Sequence, residues 1–150
     1  MSGAAIKPVL VDSSEEEYRL DEQIGFLLRK ANQRHLAIFA RRIPDLTPPQ
    51  FAVLAKLWEV GETSQNQLGQ LVAMDAATVK GVIDRLRGRA LVELAEHDSD
   101  RRRIVVSLSA DGRTLVEAML LEAAEITAET LAPLTQREAA TLVRLLAKLS

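Results

Sequence analysis

Apolar residues at Leu20, Ile24, Leu27, Leu28, Ala31, Leu36 and Phe39 recur three to five positions apart, the period of a helix with one apolar stripe. The pattern predicts a long helix from Ser13 to about Arg42. Ser13 and Ser14 offer hydroxyl acceptors for its first free amides, and Glu15, Glu16 and Glu17 place negative charge at the positive end of its dipole. A helix of that length exceeds what a small domain covers, so part of it is expected to pack on a partner. Residues 1–12 show no sustained period around Gly3 and Pro8 and are expected to form a flexible arm.

Three shorter helices are predicted next. Thr47-Pro48-Pro49-Gln50 opens the second: threonine caps, proline is tolerated in the first turn, and glutamine can return a hydrogen bond. Phe51, Leu54, Ala55 and Trp58 form its stripe, and Gly61 ends it. Ser64-Gln65-Asn66-Gln67 repeats the capping-box pattern ahead of Leu68, Leu71 and Val72, and Asp75 caps a fourth helix expected from Ala76 to Arg89. In that helix Val79, Ile83, Leu86 and Ala90 give the buried stripe. Ala77, Lys80, Asp84 and Arg87 lie opposite, flanked by Thr78, Gly81 and Arg85.

Leu91–Leu94 and Ile104–Leu108 are short and rich in branched residues, the signature of a hairpin, with the charged stretch EHDSDRRR between them. Asp111 and Gly112 interrupt the pattern. Leu115, Met119, Leu120, Ala123, Ile126 and Leu131 then predict a fifth helix halted near Pro133. Thr135 and Glu138 cap a sixth carrying Leu142, Leu145, Leu146 and Leu149. The expected fold is mainly α, with six helices and a small β-hairpin wing.

Composition narrows the chemistry. Hydrophobic residues make up 47% of the 150 and charged residues 27%, an ordinary globular balance. The chain has no cysteine, and its two histidines, His35 and His97, lack metal-ligand spacing, so neither a metal nor a cofactor is expected. There is no glycine-rich phosphate loop and no serine–histidine arrangement, and the acids at 15–17 and 98–100 lack a buried setting, which argues against an enzyme. No apolar run approaches the roughly 18 residues of a membrane span, and MSGAAIKPVLVDSSEEE lacks the basic start and apolar centre of a secretion signal, so a cytoplasmic protein is expected. The net charge of −2 hides a local excess: Lys80, Arg85, Arg87 and Arg89 are opposed on the fourth helix by Asp84 alone.

Helix, helix, tight turn, helix and charged hairpin is the order of a winged helix-turn-helix, whose second motif helix enters the major groove of duplex DNA. Such a helix needs short residues near its start and hydrogen-bond donors along it. Ala76, Ala77, Thr78 and Lys80 meet the first need, and Lys80, Arg85 and Arg87 the second. Arg101, Arg102 and Arg103 at the hairpin tip suit phosphates or the adjoining minor groove. The alternatives are a solvated basic face, an Asp100–Arg102 ion pair of no further purpose, and a winged-helix protein-interaction module that binds no DNA.

DLTPPQFAVLAKL, SQNQLGQLVAMDAATVKGVIDRLRGRALVE and HDSDRRRIVVSLSADG together resemble the MarR family of bacterial transcription regulators, and the likeness extends over essentially the whole chain. Its most specific element is Asp-x-Arg followed by an alternating strand and a Leu-Ser/Thr-x-x-Gly turn, met by Asp100, Arg102, Leu108, Ser109 and Gly112. The resemblance implies a homodimeric repressor reading a pseudo-palindromic operator. It implies dimerisation through residues 13–45 and 111–150 and a DNA-binding lobe over 46–110. Arg102 is then a wing contact and Asp100 its orienting partner, and Ser64, Gln65 and Asn66 join the DNA-contacting set. Two positions depart from the family pattern: Gly81 stands where arginine is frequent, and Ala90 where glycine is common.

The resemblance also implies a small-molecule crevice between the dimer helices and the DNA-binding lobe, lined by Phe26, Lys30, Arg34, His35, Phe39, Phe51, Leu54 and Trp58. Aromatic residues at helical spacing equally suit a core. DEQIGFLLRKANQRHLAIFARR is similar to the first helix of members that control aromatic-acid breakdown and respond to hydroxycinnamoyl-CoA thioesters or hydroxylated nicotinate. Arg29, Lys30, Arg34, Arg41 and Arg42 would suit a carboxylate or CoA phosphates, so an anionic aromatic effector is expected.

Overall fold

A computed structural model of the chain describes residues 17–97 and 99–150, with the side chains of His97, Asp100, Arg101 and Arg102 outside the description. The expected arm over 1–12, the helix start at Ser13 and the wing residue Asp98 therefore also lie outside the described residues. The chain divides into two compact units between Gln33 and Arg34.

The described part of the first unit opens with a 3₁₀ turn, Leu20–Glu22, before helix α1, Ile24–Arg42. The apolar period alone places this stretch within one continuous helix. Gln23 instead takes extended backbone (φ −83°, ψ 135°), and its side-chain amide donates to the carbonyl of Arg19 at 2.9 Å. That local turn satisfies groups a continuous helix would have paired, so α1 is shorter than its apolar period suggests.

In the second unit α2 (Pro48–Val60) carries a full capping box between Thr47 and Gln50, and ends where Gly61 takes φ +79°. Helices α3 (Gln65–Leu71) and α4 (Ala76–Gly88) follow. Ser64 caps α3 through the amide of Gln67, but the reciprocal half of the expected box is missing, because the Gln67 side chain accepts from the Thr63 hydroxyl instead. The sheet has three strands rather than a hairpin alone: β1 (Thr63–Ser64), β2 (Val92–His97) and β3 (Asp100–Leu108), antiparallel in the order β1-β3-β2. β3 is pinned on both sides at Val106, opposite Thr63 and Leu94. Asp111 and Gly112 do not interrupt the chain as expected; Ser109 caps α5 (Ala110–Leu131), which takes both into its first turn. Helix α6 (Gln136–Leu149) starts on the Thr135–Glu138 capping box.

One core joins helices α2 to α5 with strands β2 and β3. Ile43, Val53, Leu54, Leu68, Ile83, Leu86, Val106 and Val116 are fully buried, each burial being worth about 1.5–3 kcal/mol. Two details of the predicted stripes change. On α4 Val82, not Ala90, completes the buried face, and on α5 Val116 takes the central place while Leu115, Met119 and Leu120 are only partly buried. The α6 leucines Leu142, Leu145, Leu146 and Leu149 remain exposed.

Candidate nucleic-acid interface

The local chemistry of α4 presents its N-terminal turn to solvent. Asp75 Oδ1 accepts from the Thr78 amide at 2.7 Å, and this bond above all holds the Asp75 carboxyl below its ordinary range. The capped turn leaves Ala76, Ala77 and Thr78 exposed ahead of Lys80. Both turns flanking α4 are six-residue closures normally finished by glycine. At the first, the Met74 amide reaches the Gly69 carbonyl at 2.8 Å across Ala73 (φ +56°). At the second, the Leu91 amide reaches the Leu86 carbonyl at 3.0 Å and the Ala90 amide the Arg87 carbonyl at 2.9 Å, with Ala90 at φ +58°. Alanine thus adopts at both turns the left-handed backbone that favours glycine.

The basic side of α4 is less uniform than its composition. Lys80 Nζ pairs with Asp84 Oδ2 at 2.9 Å. Arg89 turns away and donates to the Asp45 carbonyl at 2.7 Å, tying the end of α4 to the segment before α2. Arg85 and Arg87 are exposed and form no ion pair among the described residues. Arg85 shares a surface groove with Thr78, Gly81, Val82, Ala77 and Pro49.

The wing is fixed at its root. The Ser109 amide donates to the Leu91 carbonyl at 3.1 Å, its hydroxyl donates to the Ala90 carbonyl at 2.7 Å, and the same hydroxyl accepts from the Gly112 amide at 2.9 Å. Ser109 therefore joins the end of β3, the end of the α4 turn and the start of α5, which is the physical content of the Leu-Ser-x-x-Gly pattern. At the other end of β3, Arg103 is exposed and lines a cleft with Ser64, Gln65, Asn66 and Ile104. The structure thus brings Arg103 together with the three expected contacts at the start of α3: its cap Ser64, Gln65 and Asn66. The side chains of Asp100, Arg101 and Arg102 lie outside the described residues.

The expected effector residues part company. Phe39 and Leu54 belong to the core, Phe39 meeting the half-buried Phe51 edge to face at 6.1 Å. Arg34 donates from its two terminal nitrogens to the Thr130 and Glu129 carbonyls at 2.7 and 2.8 Å, capping the negative end of α5. His35 Nδ1 lies 2.9 Å from the Thr130 hydroxyl. Trp58 is 40% exposed and its indole N–H donates to Glu117 at 3.2 Å. In the first unit, Arg29 and Lys30 place their cations 5.6 and 5.5 Å from the Phe26 ring.

Arg34, Arg41 and Arg42, all three expected near an effector, have acceptors on α5. Arg41 pairs with Glu129, and Arg42 pairs with Glu129 at 2.9 Å and Glu122 at 3.3 Å. Hydrogen bonds from Arg42 first and Arg41 second hold the Glu129 carboxyl below its ordinary range, and the same carboxylates raise Arg42. Glu122 and Glu129 were missed by sequence reasoning, although their spacing of seven places both on one face of α5 and so offered a signal.

Among the described residues there is no cluster of potential metal ligands, and no helix is long and apolar enough to cross a membrane. The MarR family model matches residues 46–104, which run from the α2 cap through the helix-turn-helix into β3. The transcriptional repressor NicR of Pseudomonas putida is 40% identical over 134 residues, 88% of this chain and 85% of that protein. A probable transcriptional regulator from Pseudomonas aeruginosa superposes with a TM-score of 0.86 at 53% identity, covering 88% of this chain and all of that one. BpsR of Bordetella bronchiseptica, whose DNA binding is regulated by 6-hydroxynicotinic acid, superposes with a TM-score of 0.86 at 43% identity, over 89% of this chain and 97% of its own. With its winged helix and these relatives, the chain belongs to the MarR family of transcription regulators.

Proposed function

We propose that this protein is a transcriptional repressor that reads a pseudo-palindromic operator as a homodimer and releases it on binding a small aromatic acid. The observation that carries this reading is the presentation of α4: short side chains at a capped, exposed N-terminal turn, with Arg85 and Arg87 farther along and Arg103 of the wing near the start of α3. A second copy accounts for apolar surface that one chain leaves bare, with Leu121 71% and Leu149 74% exposed. Two-fold symmetry then sets the half-sites about one helical turn apart.

A small acid is favoured over a CoA thioester. Arg34, Arg41 and Arg42 are engaged by α5, which leaves Arg29 and Lys30 beside Phe26. That set matches one aromatic carboxylate better than the several phosphate charges of CoA. BpsR as a relative points to a hydroxylated pyridine carboxylate. Release requires that the acid bind more tightly to the DNA-incompetent arrangement.

Fluorescence anisotropy of the full chain on the duplex upstream of its own gene and on a scrambled duplex tests the proposal, with 6-hydroxynicotinic acid, nicotinic acid and a hydroxycinnamoyl-CoA added in turn. Salt-sensitive binding that prefers the first duplex and is reversed by a free acid is the expected result. Equal, weak binding to both duplexes would point instead to a protein-interaction module.

A further inference from the structure

The connector 43–46 between α1 and α2 is gripped from two sides. Ile43 and Leu46 are buried in the core, which leaves Pro44 and Asp45 at the surface. Immediately before the connector, Arg42 is held by Glu129 at 2.9 Å and Glu122 at 3.3 Å, both on α5. Within it, the Asp45 carbonyl accepts from the Arg89 guanidinium at 2.7 Å. Two arginines thus join α5 to the end of α4 through a stretch of chain that its own buried residues hold in place.

Arg89 starts from fixed backbone. Its amide closes the end of α4 on the Arg85 and Leu86 carbonyls at 3.3 and 3.1 Å. The rest of α4 is held on the core by Val79, Val82, Ile83 and Leu86, whose apolar contacts have no preferred direction. A hydrogen bond from a charged donor has one. The helix is about 20 Å long, so a tie at its end governs its tilt more than a contact near its middle does. Lys80 on the same helix is paired within α4 instead, with Asp84.

We propose that Arg89 is a positioning residue for DNA recognition: through Asp45 it sets the tilt of α4 against the end of α1 that α5 holds, and it does not itself touch DNA. The inference rests on the DNA-binding reading above. It separates Arg89 from the other cations of α4 by a measurable property, because a residue that neutralises no phosphate leaves the salt dependence of binding unchanged.

The test measures anisotropy of the full-length wild type, Arg89→Ala, Arg89→Met, Glu129→Ala and the double variant carrying Arg89→Ala and Glu129→Ala. The upstream and scrambled duplexes are compared over a salt series, with thermal unfolding of each protein alongside. Arg89→Met keeps the apolar stem and loses only the donor and its charge. A loss of about five- to tenfold on the upstream duplex in both Arg89 variants, at unchanged salt slope and with little loss on the scrambled duplex, supports the proposal when the double variant binds no worse than the weaker single one. A slope lower by about one in Arg89→Ala overturns it, since the guanidinium would then neutralise a phosphate itself. Losses that multiply in the double variant also overturn it, because the two grips would then act independently. An equal loss on both duplexes that follows the melting temperature overturns it in favour of a role in folding alone. Wild-type-like binding by both Arg89 variants overturns it and leaves the repressor reading intact. A wild type that binds neither duplex overturns the repressor reading and this inference with it.

Discussion

A side-chain carbon built on Gly112 would collide with the carbonyl oxygen of Leu91, because the first turn of α5 rests directly on the backbone that leaves α4 for the wing. Neither side can yield cheaply. The Leu91 carbonyl is held by the Ser109 amide and the Gly112 amide by the Ser109 hydroxyl, so displacing either breaks the hydrogen bonds at the wing root. Gly112→Ala should therefore destabilise the protein by about 2–4 kcal/mol, read as a lower urea midpoint at unchanged m. A midpoint equal to that of the wild type would mean the two backbones separate freely.

Ala90 presents the opposite case. It holds φ +58° at the end of α4, a conformation that costs an L-residue about 1–2 kcal/mol and glycine almost nothing. It is exposed, so no packing is lost with its methyl group. After the larger unfolded-state entropy of glycine is allowed for, Ala90→Gly should raise stability by about 0.5–1 kcal/mol. The same denaturation series measures it, and a lowered midpoint would show that the turn relaxes in solution.

The caps and the helix stripes of this fold were legible because their causes are local. Thr47 with Gln50, Asp75 with Thr78 and Thr135 with Glu138 each act within four residues, and they start the helices where the sequence places them. The failures have non-local causes. β1 is two residues long and exists only because Val105 and Val106 pair with it. Asp111 and Gly112 read as breakers, yet the Ser109 cap and the close approach to Leu91 make them the first turn of α5. The contacts of Arg34, Arg41 and Arg42 were not legible for the same reason: nothing in their spacing announces that α5 brings Glu129 to them from some ninety positions away. The exposed first turn of α4 was legible by its short residues, whereas the Lys80–Asp84 pairing was visible only as an i, i+4 possibility.

Glu129 makes stability depend on acid. Its carboxyl is held below the ordinary value of 4.5 by Arg42 and Arg41. For a depressed carboxyl the associated stability is fully present above the ordinary value and is lost as the pH falls through the folded-state value. Asp75 and Glu138, depressed by their cap amides, add to the same acid limb. Melting temperatures across pH 7 to about 3 should fall below roughly pH 4.5 for the wild type. Glu129→Gln should melt lower at neutral pH and converge with the wild type in acid. Parallel curves would show that the pair with Arg42 and Arg41 contributes nothing to folding.

If α4 meets DNA as proposed, Asp84 sets how freely Lys80 can do so. Its carboxylate holds the ammonium at 2.9 Å on the exposed side of α4 and places a negative charge on the same face. An exposed i, i+4 pair is worth only about 0.2–0.5 kcal/mol to the helix, so Asp84→Asn should fold normally. It should bind every duplex more tightly and steepen the dependence of log K on log salt by about one, lowering the preference for the upstream duplex over the scrambled one. The two ways Asp84 can act separate in a Lys80→Ala background. If it acts by restraining Lys80, Asp84→Asn has little further effect there; if it acts by repelling phosphate directly, the gain is the same in both backgrounds. The 2.9 Å contact favours restraint, so the effects of the two substitutions should be strongly non-additive. Unchanged affinity and salt slope in the single Asp84→Asn variant would remove this part of α4 from the DNA contact altogether.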